Sequence, residues 1–435
     1  MNYCQALDYL GSIQNLGSKL GLERVAKLLS ALGSPQESYP IIHVAGTKGK
    51  GSTSLMVSEI LKSAGYKVGL YTSPHLQSLR ERVRVNGEII NTGDFSDLIA
   101  EIANVEESIR TEDIGQATFF EVTTALSYLY FKRQNVDAAV VEVGLGGRLD
   151  ATNVIKKPAC AVITAISYDH MGILGDTLDR IAREKAGILK TNCELVCASQ
   201  QPNALETIEG LANVLEVKVH LQGRDFDYHD KGFCLQGQAM DFVSNIGNVE
   251  GLCVPLLGEH QLQNASLAIR VAQVLENQGF KISKEAINTG LRGAYWPCRL
   301  EMVGRNPRIL LDGAHNGASA DALAKAVNRH FNSKHIALVV GMLRDKDTTR
   351  FIRALAPLAK TIITTTPTSP RSLDNERLAM RFKRRFFEAT PIDNPIDAVI
   401  EAIDRTPKDG LILATGSLYL VGELRTAIGK FSLAK

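Results

Sequence analysis

Two lysines lie among closely spaced glycines in HVAGTKGKGSTS, the segment at residues 43–54. A phosphate-binding loop needs a buried strand that stops abruptly, a backbone that can turn its N–H groups inward, and a helix N-terminus behind the anion. Here an apolar run ends at residue 45, a helical pattern begins near residue 52, and Lys50 can reach the outer phosphates of a nucleotide. The segment therefore favours a phosphate-binding loop over a solvent-facing, glycine-rich turn.

The spacing of this loop differs from the common pattern G-x-x-x-x-G-K-[ST]. That pattern would place a glycine at position 44 and a hydroxyl at position 51, where the chain has Val44 and Gly51. Kinases, GTPases and ligases all use such loops, so the loop alone does not identify the reaction. A guanine-binding GTPase would also carry an Asn-Lys-x-Asp motif, and its absence from the sequence counts against that class.

A carboxylate follows another apolar run. Glu142 lies at the end of the buried strand predicted within 136–143 and precedes a glycine-rich loop. An unpaired carboxylate there would be costly, and a divalent cation would be its natural partner. The glycines at 144, 146 and 147 lack the G-x-G-x-x-G spacing of a dinucleotide site. Taken alone, His170 favours a loop histidine and Lys185 a helix-surface lysine.

Short apolar runs alternate with helical patterns over most of the chain. Continuous runs predict strands buried on both faces of a parallel sheet; they lie at 40–45, 136–143, 158–167 and 193–199. Residues 220–256 are turn-rich with interleaved aromatic and polar residues, which indicates antiparallel hairpins on the edge of the first domain. A second alternation predicts strands at 308–312, 335–341, 361–366 and 410–415.

The predicted fold class is α/β, with an N-terminal P-loop domain and a smaller C-terminal Rossmann-like α/β domain. The first domain combines a parallel sheet with antiparallel hairpins. A chain of 435 residues is long for one hydrophobic core. We expect domains at 1–296 and 297–435, since Pro297 would end any helix there.

Composition narrows the classes of partner. Lys and Arg number 49 against 47 Asp and Glu, so the net charge of +2 gives no indication of nucleic-acid binding. The run RFKRR at 381–385 is a local exception, read as a solvated helix face. Seven scattered cysteines favour buried free thiols in a reducing compartment over a disulfide framework or a zinc site. With no signal segment and no run of about 18 apolar residues, we expect a cytoplasmic protein without a membrane partner.

The segment GTKGKGS at 46–52 resembles the loop of the Mur ligase superfamily, which couples ATP hydrolysis to amide-bond formation. It is most similar to the folate branch, the folylpolyglutamate synthases and dihydrofolate synthases. Their loop usually reads GTNGKGS, so Lys48 replaces an asparagine, and we hypothesise that this extra cation strengthens attraction for ATP. The resemblance implies ATP binding by Gly46, Thr47, Lys48, Gly49, Lys50, Gly51 and Ser52.

The resemblance continues through motifs along nearly the whole chain and implies further site residues. For Mg²⁺ it implies Ser73 in TSPHL, Glu142 and His170. For ATP it implies Asn264 in QNASLA, Arg299 in WPCRLE and Asp312 in DGAHN. For catalysis it implies Lys50, His315 at the phosphate-transfer centre and Lys185, which is carbamylated in the family. Cys298 and Gly317 replace a glycine and a proline of the family pattern.

The resemblance also implies a folate-side pocket. Its residues would be Thr118, Phe119, Phe120, Glu121, Arg148, Asp150 and Ser417. Aromatic rings at 119 and 120 could stack on a flat heterocycle. Two plainer interpretations stay open, a core helix start at 118–121 and an internal ion pair involving Arg148 and Asp150.

Together these motifs predict an ATP-dependent ligase. ATP would phosphorylate a folate carboxylate, and the amino group of L-glutamate would attack the acyl phosphate. Because dihydropteroate shares the folate frame, we predict both folylpolyglutamate synthase and dihydrofolate synthase activity, in a monomer with small-molecule substrates.

Three alternatives stay open. One is a monofunctional folylpolyglutamate synthase. Another is a peptidoglycan-type Mur ligase acting on a UDP-linked substrate, although a loop starting at residue 46 leaves no room for the N-terminal domain of those enzymes. The last is a non-catalytic ATP-binding regulator, which would have no use for Glu142, His170 and His315.

Overall fold

The computed structural model describes residues 1–14, 21–112, 115–331 and 333–433. Two compact units divide the chain: Met1–Pro255 with Gln261–Ala294, and Leu256–His260 with Tyr295–Lys435. The sequence predicted a division at 296/297 and gave no indication that Leu256–His260 belongs with the second unit. Leu257 packs against the core of that unit, which explains the assignment.

A sheet of eight strands forms the centre of the first unit, in the order β4-β3-β2-β5-β1-β6-β7-β8. Its strands are β1 (Ile41–Ala45), β2 (Val68–Tyr71), β3 (Val83–Val85), β4 (Glu88–Ile89), β5 (Ala138–Glu142), β6 (Cys160–Ile163), β7 (Glu194–Cys197) and β8 (Lys218–Leu221). All pairings are parallel except those of β2 with β3 and of β3 with β4. The continuous apolar runs thus form parallel strands, as the sequence predicted.

Helices cover both faces of this sheet and bury two apolar clusters against it. The helices of the first part of the chain are α1 (Tyr3–Gln14), α2 (Glu23–Ala31), α3 (Lys50–Ser63), α4 (Thr92–Ile109), α5 (Phe119–Arg133), α6 (Met171–Leu174), α7 (Leu178–Ala186), α8 (Pro202–Val214), α9 (Glu259–Asn277) and α10 (Lys284–Gly293). Within the described ranges, no helix has the length and apolar character needed to cross a membrane.

A separate antiparallel sheet of three strands forms from the turn-rich segment, in the order β11-β10-β9. Its strands are β9 (Phe226–Cys234), β10 (Gly237–Ser244) and β11 (Val249–Val254). The prediction that all cysteines are free is wrong here, because Cys234 and Cys253 form a disulfide. The two cysteines are 19 residues apart in sequence, and this separation alone does not predict a disulfide. They meet because the strands of the sheet pair. The other five cysteines are free, and all of them except Cys4 are buried.

The second unit contains a sheet of six strands in the order β12-β13-β17-β14-β15-β16. The strands are β12 (Glu301–Arg305), β13 (Arg308–Leu311), β14 (Ile336–Val340), β15 (Thr361–Thr364), β16 (Thr390–Pro391) and β17 (Leu411–Thr415). The helices are α11 (Gly317–Phe331), α12 (Thr348–Leu355), α13 (Asn375–Lys383), α14 (Pro395–Arg405) and α15 (Leu418–Leu433). Only β12 runs antiparallel, so the sheet has the predicted α/β character.

Candidate active site

The predicted phosphate loop connects the buried strand β1 to the first turn of α3. Gly46 has φ +146°, and a Cβ built on it would lie 1.9 Å from Thr164 Oγ1. The backbone N–H groups of Thr47 and Lys48 donate to Ala165 O at 3.0 and 3.2 Å. The loop is therefore held against the segment that follows β6, and its first position accepts only glycine.

Asn264 of α9 lies against the same loop. Gly49 is the N-terminal cap residue of α3 with φ +90°, and a Cβ on it would come within 2.2 Å of Asn264 Oδ1. Asn264 is buried, and its Nδ2 donates to Gln261 Oε1 at 3.1 Å. The structure thus brings two predicted site positions that are far apart in sequence into direct contact.

Lys185 lies beneath the phosphate loop, buried on α7. Its Nζ donates to Gly46 O at 2.9 Å, and only 4% of the residue is exposed. Burial, and then the neighbouring charge of Lys50, lower the pKa of Lys185 from 10.5 to about 7. The interpretation as a helix-surface lysine is therefore wrong, because α7 turns this side chain toward the loop.

Glu142 stands at the carboxyl end of β5, beside β1. The strand register pairs it with Val44, so its carboxylate lies next to the start of the phosphate loop. Glu142 is buried, and its Oε2 accepts a hydrogen bond from the backbone N–H of Ser73 at 3.0 Å. Ser73 follows the neighbouring strand β2, so two of the three predicted metal ligands come together.

His170 occupies a more exposed position, at the turn before α6. Its side chain is 54% exposed and its φ is +50°. The preceding Asp169 faces Lys48, with 3.5 Å between Lys48 Nζ and Asp169 Oδ2. No cluster of three or more His, Cys, Asp or Glu side chains that could hold a metal occurs among the described residues.

The segment predicted to contact a heterocycle begins α5. Thr118 caps the helix, and Glu121 completes a capping box, accepting from Thr118 N at 2.7 Å. Glu121 also pairs with Arg24 at 3.1 Å. Thr118 and Glu121 are thus occupied as a helix start, which agrees with the plainer interpretation, whereas Phe119 and Phe120 are half-buried.

Arg148 and Asp150 have different surroundings and do not pair with each other. The Arg148 guanidinium donates to Glu184 Oε1 at 2.9 and 3.0 Å on the surface. Asp150 is buried and accepts from Leu145 N at 2.8 Å and from Thr152 N and Oγ1 at 3.0 and 2.6 Å. Burial raises the pKa of Asp150, and these hydrogen bonds oppose that shift. Asp150 therefore braces the glycine-rich loop.

In the second unit, the DGAHN segment follows β13 at the carboxyl edge of the sheet. Asp312 is buried and accepts from Leu300 N at 3.0 Å and Ala314 N at 2.9 Å. Burial raises the pKa of Asp312, and the charge of Arg299 opposes this. His315 is half-buried, with 2.9 Å between its Nδ1 and Gly313 O.

The remaining predicted positions lie near this segment. Arg299 is exposed, and Cys298 before it is buried with φ +57°, a backbone conformation that suits the glycine of the family pattern. Ser417 is buried after β17, and its Oγ accepts from Leu420 N at 3.1 Å, so it caps α15. Thr415 Oγ1 donates to Ala314 O at 3.2 Å and joins the end of β17 to the DGAHN segment.

Comparison with known proteins matches both units. Residues 44–272 match the Mur ligase middle domain, and residues 298–418 match the Mur ligase glutamate ligase domain. The dihydrofolate synthase/folylpolyglutamate synthase of Bacillus subtilis is 35% identical, with 97% of this chain and 98% of that protein covered. The chain belongs to the folylpolyglutamate synthase/dihydrofolate synthase family of Mur ligases. It is an ATP-dependent ligase.

Two further relatives agree with this family assignment. The folylpolyglutamate synthase of Lacticaseibacillus casei is 33% identical, with 98% of this chain and 99% of that protein covered. The solved folylpolyglutamate synthase of Mycobacterium tuberculosis complexed with ADP is 32% identical and superposes with a TM-score of 0.91 over 98% of this chain and 99% of that chain.

Several residues around the ligase loop were not singled out from the sequence. His43 Nε2 lies 2.9 Å from Thr152 Oγ1, so β1 is joined to the loop braced by Asp150. Burial is the main cause that lowers the pKa of His43 from 6.5 to about 3. His43 belongs to the phosphate-loop segment and could have been examined, whereas Arg24 and Thr164 carry no local signal.

Proposed function

We propose that this ligase uses ATP to join L-glutamate to the carboxylate of a folate-type acceptor through an acyl phosphate. The observation that carries the proposal is the arrangement of the phosphate loop with the buried Lys185 below it and the buried carboxylate of Glu142 beside it. The names of the related proteins supply the acceptor and the amino acid.

The reaction has two steps. An oxygen of the acceptor carboxylate attacks the γ-phosphorus of ATP, and the bond to the bridging oxygen breaks to release ADP. The amino nitrogen of glutamate then attacks the acyl carbon, phosphate leaves, and the nitrogen loses a proton. Lys50, at the first turn of α3, would neutralise charge on the transferred phosphate. We propose that His315 acts in phosphate transfer and that Asn264, Arg299 and Asp312 contact the nucleotide.

The residues at the loop fit a Mg²⁺ ion. Glu142 is a buried hard oxygen donor next to the phosphate loop and in contact with the backbone of Ser73. We propose Glu142, the Ser73 hydroxyl and His170 as its ligands. A Mg²⁺ ion held by these residues would supply positive charge that offsets the negative charge of the nucleotide phosphates.

Carbamylation of Lys185 is also proposed. A neutral amine attacks CO₂, forming an N–C bond and releasing one proton, and a pKa of about 7 leaves much of Lys185 neutral at physiological pH. Labelled bicarbonate followed by carbon NMR of the native enzyme is the test. A carbamate signal that disappears in Lys185→Arg is expected, and an identical spectrum in the two proteins would contradict this modification.

Bifunctionality is tested by measuring phosphate release from ATP with L-glutamate and each acceptor in turn. We expect release with dihydropteroate and with a folate monoglutamate, and none with a UDP-linked muramyl acceptor. Turnover of the folate alone would indicate a monofunctional folylpolyglutamate synthase. Glu142→Gln keeps the size of the side chain and removes its charge, so it should reduce turnover with every acceptor, whereas full activity would favour a non-catalytic role for the site.

A further inference from the structure

A strongly basic surface covers two helices of the second unit. Residues 344–385 contain eleven Lys and Arg against four Asp and Glu, although the whole chain is nearly neutral. We define the basic surface as Arg350 and Arg353 on α12 and Arg377, Arg381, Arg384 and Arg385 on and directly after α13. The four arginines of the second group stand at i, i+4, i+7 and i+8, so they share one helix face.

Hydrogen bonds to neutral groups hold part of this surface in place. Arg381 Nη1 donates to Thr348 Oγ1 at 3.0 Å, and Arg385 Nη2 donates to Thr349 Oγ1 at 2.7 Å. These bonds join α13 to the first turn of α12. Among the described residues, no carboxylate pairs with any of the four arginines of this helix face. The guanidinium groups of Arg381 and Arg385 are therefore held in place without loss of their positive charge.

The basic surface reaches the predicted phosphate-transfer segment of the same unit. Arg350 donates to Asp321 on α11 at 2.7 and 3.0 Å. A Cβ built on Gly317, the first residue of α11, would lie 2.3 Å from Arg350 Cδ. Gly317 directly follows the DGAHN segment. A chain extending from that segment would thus meet Arg350 first and then the arginines of α13.

We propose that the basic surface binds the γ-linked glutamate tail of acceptors that already carry several glutamates. This inference rests on the proposed function, because repeated addition of glutamate produces such a tail. Each γ-linked residue leaves its α-carboxylate free, so the tail is a flexible anion with regularly spaced carboxylates. Arginine guanidinium groups bind carboxylates in a two-point geometry, and a row of them attracts a polyanion.

The test compares short and long acceptors in a charge-reversed enzyme. Arg377 and Arg384 are exposed and make no side-chain bond that supports the fold among the described residues, so Arg377→Glu with Arg384→Glu removes charge with little structural cost. We expect the KM for a folate pentaglutamate to rise about tenfold, equivalent to about 1.4 kcal/mol. The KM for the monoglutamate and both kcat values should stay unchanged.

A matched control makes the same change of net charge elsewhere. Lys284→Glu with Arg292→Glu alters two exposed cations on α10 of the first unit and should leave both acceptors unaffected. Added salt should raise the pentaglutamate KM of the unaltered enzyme toward that of the α13 variant, because screening weakens exposed charge pairs. Equal effects of the α13 variant on both acceptors, or no effect, would overturn the proposal.

A binding measurement separates this proposal from the proposed function. Anisotropy of a labelled γ-linked pentaglutamate peptide reports binding to the basic surface even if no acceptor is turned over. We expect binding that the α13 variant loses and the α10 variant keeps. Loss of binding to a single-stranded RNA in the α13 variant, with unchanged binding of the peptide, would instead identify a nucleic-acid surface and contradict the proposal.

Discussion

Lys48 is the residue at which the phosphate loop departs from its family pattern. It faces Asp169 across 3.5 Å and is only partly exposed, so part of its charge is balanced by a carboxylate. It is also one of the cations that lower the pKa of Lys185, after burial and Lys50. Its influence therefore extends beyond ATP attraction to the protonation of the buried lysine.

Replacing Lys48 should change the pH dependence of the enzyme. In Lys48→Asn the pKa of Lys185 should rise, because a nearby positive charge that lowers it is lost. The acid limb of kcat/KM should then move to higher pH, whereas Lys48→Arg, which keeps the charge, should leave it in place. An unshifted limb in the asparagine variant would show that Lys48 does not act on Lys185. An unchanged KM for ATP would separately argue against the hypothesis of stronger ATP attraction.

His43 links acidity to stability. Its pKa is about 3 in the folded chain against 6.5 when unperturbed, so between these values the unfolded chain binds more protons. The stability that neutral His43 contributes is therefore present above about pH 6.5 and is lost as the pH falls toward 3. The buried bond to Thr152 makes its removal costly at neutral pH.

His43→Asn should lower the free energy of unfolding by about 1–3 kcal/mol at pH 7. The difference in free energy of unfolding between the variant and the unaltered chain should shrink as the pH falls toward 4. Protonation of His43 in the unfolded state then destabilises the unaltered chain, whereas asparagine has no proton to gain. Urea unfolding at a series of pH values measures this. His229→Asn at an exposed position is the control, and a gap that stays constant with pH would contradict the assignment.

Helix α3 shows how one element positions the site. Two glycines with almost the same φ, Gly49 at +90° and Gly65 at +93°, flank this helix at its two ends. Only Gly49 is crowded, by Asn264, whereas a Cβ on Gly65 would meet nothing within 4 Å. Alanine at either position would meet the same backbone strain, but only alanine at Gly49 would also clash with a neighbouring side chain. Comparing the two substitutions therefore distinguishes the effect of backbone strain from the effect of the clash.

Gly49→Ala should raise the KM for ATP by at least about tenfold, because the new methyl group displaces Asn264 or the loop. A tenfold change corresponds to about 1.4 kcal/mol of binding free energy. Gly65→Ala has the same backbone strain and should cost about 1 kcal/mol of stability with an unchanged KM. Steady-state kinetics with ATP as the varied substrate, together with thermal unfolding, tests both. Equal KM values for the two variants would mean that Gly49 matters only for its backbone.

At the scale of the whole molecule, each unit has an apolar core of its own. Leu195 of β7 is fully buried in the first unit, and Leu413 of β17 is fully buried in the second. Such separate cores predict that damage to one unit is felt mainly within that unit. The short segment Leu256–His260, assigned to the second unit, is the exception to a simple division along the chain.

Leu413→Ala should reduce the stability of the second unit by about 2–5 kcal/mol, and Leu195→Ala should do the same to the first. Hydrogen exchange followed by peptide mass analysis locates the effect. We expect faster exchange in 295–433 for the first variant and in the strands around β7 for the second. Uniformly faster exchange throughout the chain in either variant would show that the two units unfold as one.

The sequence by itself determined the α/β class, the parallel strands and the family. Apolar runs and glycine spacing are local patterns, so they can be recognised in the sequence without knowledge of tertiary contacts. Only the tertiary structure decided that Lys185 is buried under Gly46, that Asn264 touches the loop, that Asp150 is a brace and that Cys234 meets Cys253. Each of these depends on residues brought together from distant parts of the chain. Burial and partner identity, which set pKa values and roles, are properties of that packing.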